Sequence, residues 1–178
     1  MQGILIVHAC SVLIAGIAAV TDWRTGHIPN WLTLPPLVIA PIVHGLAGGY
    51  QGLLLSVAGI VGCGLVPYLI FRLKGMAGGD VKLFAAIGAV AGPFMGIEAQ
   101  FYAFIFAALF ALGRLAWQGK LLRTLANTFY LGLNPVLPKK WKRTVTPELM
   151  TTVRLGAAIF AGTVATAIMN MPALVRLG

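Results

Sequence analysis

The chain has 178 residues, 59% hydrophobic and 10% charged, with a mean hydropathy of +0.91. That is too apolar for a water-soluble globule of this length and points to an all-α, polytopic membrane protein. Thirteen lysines and arginines against four acids give a net charge of +9, but no groove-reading helix or aromatic-and-basic platform accompanies them, so nucleic acid is set aside as a partner and the charge is read as membrane topology.

A membrane-crossing helix needs about 20 apolar residues. Runs near 3–21, 30–48, 52–71, 80–96, 99–117 and 151–170 meet this, which predicts about six transmembrane helices in a single membrane-embedded domain. The first run has no basic residue before it and positive charge after it, so it reads as a retained helix, not a cleaved signal. Asn30 is expected to cap the second run after a turn at Pro29. Pro35, Pro36 and Pro41 withhold backbone N–H groups within that run. Such backbone is tolerated at membrane depth only against protein or water, so a broken helix lining a hydrated cleft is expected. Tight turns are expected at Gly48-Gly49-Tyr50-Gln51 and around Glu98. The stretch 119–150 reads as a cytoplasmic loop: an amphipathic segment from Leu121 to Leu131, the basic cluster Lys139-Lys140-Trp141-Lys142-Arg143, then a helix start at Thr146-Pro147-Glu148. Cys10 and Cys63 lie inside apolar runs and suggest packing, not a disulfide or metal framework. His27 reads as a solvated loop residue, and His44 as hydrogen-bonded among helices.

With the N-terminus outside, every lysine and arginine except Arg176 falls in or beside a cytoplasmic loop. The positive-inside bias supports that orientation. It also brings the two aspartates of the sequence, Asp22 and Asp80, to the same cytoplasmic depth. Taken singly, each has an ordinary structural explanation: Asp22 ion-paired with Arg24 or Lys82, and Asp80 as a helix N-cap. Their isolation, shared depth and the Gly78-Gly79 context favour a functional pair instead. Two carboxyls in one site separate in ionisation, so that one can take a proton from water while the other serves the scissile carbonyl. Gly78 and Gly79 would permit unusual backbone conformations or close approach beneath Asp80. Arg24 and Lys82 are candidates for tuning the carboxylates or steering substrate, with topology as the equally weighted alternative.

Asp22-Trp23-Arg24-Thr25-Gly26-His27-Ile28-Pro29-Asn30 after the first run, and Gly79-Asp80-Val81-Lys82-Leu83 after the third, resemble the two aspartate motifs of the type IV prepilin peptidases, a branch of the GxGD aspartyl proteases. The similarity is greatest to the short Tad/Cpa-type members that serve Flp pili, and it covers about the first hundred residues. It implies that Asp22 and Asp80 are the catalytic pair of a multi-pass enzyme of the bacterial inner membrane. It implies no cofactor or metal. The implied substrate is a prepilin with a short basic leader, cut at the cytoplasmic face, with the lipid bilayer and the pilus or secretion machinery as further partners. The family's first motif glycine falls on Ala77 here. Longer family members carry a cytoplasmic insert with paired Cys-x-x-Cys motifs and also N-methylate the product; this chain has no such motifs, and methyl transfer is not expected. The alternatives are a related peptidase with other membrane-helix substrates, or a non-enzymatic assembly or proton-relay subunit.

Overall fold

The computed structural model describes residues 2–117 and 155–176. Among these there are four helices and no strand: α1 (Gln2–Thr25), α2 (Asn30–Arg72), α3 (Gly78–Trp117) and α4 (Gly156–Arg176). Three helices are long and apolar enough to cross a membrane, Gly3–Thr25, Asn30–Arg72 and Gly78–Arg114. Large apolar side chains such as Leu13, Val38, Leu65 and Phe101 are exposed. In a molecule this apolar, such an outward-facing surface suits lipid.

Both long helices double back at a glycine. Gly49 breaks α2 with φ 62 and ψ −152, and Gly92 breaks α3 with φ 78 and ψ 175. Both lie in the left-handed half of backbone space, which glycine enters without Cβ strain. The arms then pack close: a Cβ on Gly52 would strike the His44 carbonyl oxygen, and one on Gly96 would lie 3.0 Å from the Gly88 Cα. The first turn is where the glycine pair predicted it. The second differs, since Glu98 lies inside the helix, where its Oε2 accepts from Asn170 Nδ2 at 3.0 Å. The break falls instead at Gly92-Pro93, which combines a left-handed position with a residue that has no N–H to donate.

Neighbouring side chains take up backbone groups freed by that break. Pro93 cannot bond the Ala89 carbonyl, and the Ser56 hydroxyl donates to it at 2.7 Å. His44 Nε2 lies 3.0 Å from the Val90 carbonyl oxygen, so His44 is indeed hydrogen-bonded between helices. Residues 50–72 approach residues 78–91 closely at Gly59 and Gly88, each of which would clash with the other's carbonyl if it carried a Cβ. Residues 83–89 are buried without exception, which makes the first arm of α3 the centre of the bundle. Leu83, Phe84 and Ile87 share the core with Ala15 and Ala18 of α1, Ile28, Leu32 and Ile159.

Two further expectations are corrected. Pro35, Pro36 and Pro41 lie within α2, yet its only non-helical dihedrals are at Gly49, so the prolines do not break it. Asn30 is the first helical residue and Pro29 holds the cap position, with no side-chain capping bond.

The chain divides into a main unit, Met1–Ala107 with Arg154–Gly178, and a second, Ala108–Val153. Of the second, the described part is residues 108–117, the last turns of α3. The amphipathic segment, the basic cluster and the Thr146-Pro147-Glu148 helix start lie outside the described residues.

Candidate active site

Asp22 occupies the last turn of α1 and Asp80 the first turn of α3. Both are buried, and Asp80 lies within range of the Asp22 charge. The link between them is short. α1 ends at Gly26, whose φ of 68 lets its N–H reach back to the Asp22 carbonyl at 2.9 Å, a left-handed C-terminal cap. The chain then turns through Ile28, which is buried beneath the start of α3. A Cβ on Gly79 would lie 3.1 Å from the Ile28 Cβ, so a larger residue there would require the Ile28 segment to give way by a few tenths of an ångström.

Of Gly78 and Gly79, only Gly79 makes a close approach. Neither has a positive φ, and a Cβ on Gly78 would make ordinary 3.5 Å contact with the Phe71 ring. Ala77 has no positive φ either, so alanine stands there without strain. Its carbonyl accepts the Asp80 N–H at 3.2 Å. Asp80 is therefore the third residue of α3, inside the helix and not its N-cap. The preceding loop leaves α2 through a Schellman turn, in which Gly75 N–H bonds the Ile70 carbonyl and Lys74 N–H that of Phe71, both at 2.9 Å. Lys74 holds the left-handed position of that turn, at φ 61.

Asp22 has a partner far away in the chain. The backbone N–H of Gly156, the first residue of α4, donates to Asp22 Oδ2 at 3.1 Å. A Cβ on Gly156 would come within 2.9 Å of the same oxygen. Asp80 thus stands in the first turn of α3, and Asp22, although in the last turn of α1, accepts from the first N–H of α4, where the dipole favours negative charge. Gly156 is separated from Asp22 by 134 residues, and nothing local marks it. Arg24 and Lys82 are exposed at the rim. Lys82 Nζ donates to Asn30 Oδ1 at 2.9 Å, which ties the start of α2 to the first turn of α3. Among the described residues, no three of His, Cys, Asp and Glu gather as metal ligands.

Residues 9–112, more than half of the chain and including both aspartates and Gly78-Gly79, match the type IV leader peptidase family. The chain belongs to that family. Over 108 residues it is 37% identical to the prepilin leader peptidase/N-methyltransferase of Bacillus subtilis (strain 168), covering 56% of this chain and 43% of that protein. The chain therefore spans less than half the length of this leader peptidase relative. No solved structure matches it. The matched residues end before α4, so Gly156 is a part of the aspartate environment that lies beyond the leader peptidase match.

Proposed function

We propose that this leader peptidase family member is a membrane aspartyl endopeptidase that removes the leader from prepilins of the Flp/Tad type, with Asp22 and Asp80 as its catalytic pair. The observation that carries this reading is that both carboxyls are buried at helix ends, Asp80 in the first turn of α3 within range of the Asp22 charge and Asp22 accepting from the first N–H of α4. In the proposed reaction the ionised carboxylate takes a proton from water as the water oxygen attacks the scissile carbonyl carbon, and the protonated partner gives its proton to the carbonyl oxygen. Collapse of the tetrahedral intermediate breaks the C–N bond. The leaving nitrogen receives a proton, and the pair ends with the single shared proton it began with. Gly79 lets the loop through Ile28 pack beneath Asp80, and Gly78 beside it is the second glycine of the motif. Arg24 and Lys82 supply positive charge at the entrance.

We further propose that α2 and α3 each cross the membrane twice, giving six spans in the inner membrane of a bacterium, with the N-terminus outside and the aspartates on the cytoplasmic side. The two arms of α2, residues 30–48 and 50–72, are about 28 and 34 Å long, near the thickness of the hydrocarbon core. The lysine and arginine distribution supports the orientation. The bilayer and the pilus or secretion machinery are its surroundings in this reading.

The test is cleavage of a co-expressed Flp-type prepilin. Asp22→Asn and Asp80→Asn should each accumulate in membranes at the wild-type level and lower cleavage by at least about 10²-fold, the range for loss of an acid–base group. Near-wild-type cleavage by either variant would overturn the paired-carboxylate mechanism, and a wild type that cuts no prepilin would redirect the search to other membrane-helix substrates.

A further inference from the structure

Apart from the aspartate site, a small cavity lies between α1, α3 and α4. Its lining includes His8 and Ser11 of α1, Met95 and Ala99 of α3, and Thr163 and Thr166 of α4. Three buried polar atoms at this cavity have no hydrogen-bond partner in the protein: His8 Nε2, Ser11 Oγ and Thr166 Oγ1. Ser11 and Thr166 are each only 3% exposed. Buried polar groups are nearly always satisfied, so three orphans lining one space indicate that something polar fills it.

The hydrogen-bond roles narrow the occupant. His8 Nδ1 lies 2.8 Å from the Ile4 carbonyl oxygen, which can only accept. The ring proton is therefore on Nδ1, and Nε2 of the neutral imidazole is an acceptor in need of a donor. Ser11 and Thr166 offer hydroxyls that can donate or accept. Thr163 is already engaged, since its hydroxyl donates to the Ile159 carbonyl at 2.8 Å. No carboxylate lines the cavity, so a cation has no counter-charge there, and an acyl chain would leave all three atoms unsatisfied. The space accommodates about one water molecule.

We propose that this cavity is a binding site for one ordered water, which donates to His8 Nε2 and bridges the hydroxyls of Ser11 and Thr166. Three partners is the usual number for a buried water. The bridge would join α1 to α4 at membrane depth, roughly 16 Å along α1 from Asp22. The same helix pair meets at its other end through the Gly156–Asp22 bond, so the water would fasten the far end of that seam. The inference stands whether or not the chain is a peptidase.

The test is water-edited solid-state NMR on the full chain in lipid bilayers with ¹⁵N-labelled histidine. His44, whose Nε2 faces the Val90 carbonyl, serves as the internal reference, and exposed His27 as the hydrated one. Transfer from water protons to His8 Nε2 is expected in the wild type, with little at His44 Nε2. The double variant Ser11→Ala, Thr166→Val should lose the His8 transfer while His27 keeps its own; if it fails to accumulate, Ser11→Ala alone should weaken it. Absence of transfer at wild-type His8, or transfer that is undiminished in these variants, would overturn the proposal.

Discussion

Asp22 and Asp80 were legible in the sequence because a carboxylate is costly beside an apolar run and the chain holds so few acids. Their immediate supports were only partly legible. Gly79 could be seen as permissive, but its use, as the floor on which Ile28 rests, depends on a contact that local sequence does not show. Gly78→Ala places a methyl at ordinary distance from Phe71 and should leave cleavage of the proposed prepilin substrate within about twofold of wild type, as surface-type substitutions do. Gly79→Ala forces the Ile28 loop away from α3 and should lower cleavage about 10-fold or more, because small displacements of reacting groups are expensive. Gly156→Ala should act similarly through Asp22, since its Cβ would press on the carboxylate itself. Steady-state cleavage normalised to membrane protein level checks all three, and equal activity of Gly78→Ala and Gly79→Ala would remove the close-approach argument.

At the scale of elements, the breaks in α2 and α3 show how far apolar patterning reaches. The turn at Gly49 was announced by a glycine pair among polar neighbours. The turn at Gly92 lies within an unbroken apolar run, in which Glu98 is the one charge nearby and stands inside the helix. The better signal was the Gly92-Pro93 dipeptide, a turn former whose proline cannot continue the helix ladder. In contrast, Pro35, Pro36 and Pro41 stay within a continuous helix, so proline alone does not break a helix here; left-handed glycine does. Backbone freed at such a break must find partners when water is absent. Ser56→Ala should therefore leave the Ala89 carbonyl orphaned and destabilise the protein by about 1–3 kcal/mol. Thermal unfolding in detergent measures this, and a variant as stable as wild type would show that the Ser56 bond is dispensable. Lys74→Gly should have the opposite sign, because glycine relieves a left-handed lysine at the end of α2, with a gain of about 1 kcal/mol.

At the scale of the molecule, composition and apolar patterning point to an all-helical membrane protein, whereas the path of the chain depends on where the long helices reverse. Residues 78–91 form an arm of only about 21 Å, shorter than the hydrocarbon core. It is sheathed by other helices, with residues 83–89 all buried, and its broken end is satisfied by His44 and Ser56. Such an end can stop short of the headgroups, because irregular backbone is tolerated at depth when protein surrounds it. The Gly49 turn joins two arms of full length and should reach the interface. Single cysteines in a background lacking Cys10 and Cys63 separate these cases. A membrane-impermeant maleimide added to intact spheroplasts should label position 50 readily, position 94 more slowly, and positions 27 and 76 only after lysis. The reverse pattern would invert the orientation and move the aspartates to the outer face. Labelling of 94 only after lysis would mean that α3 does not reverse across the membrane at Gly92, and the count of six spans would fall with it.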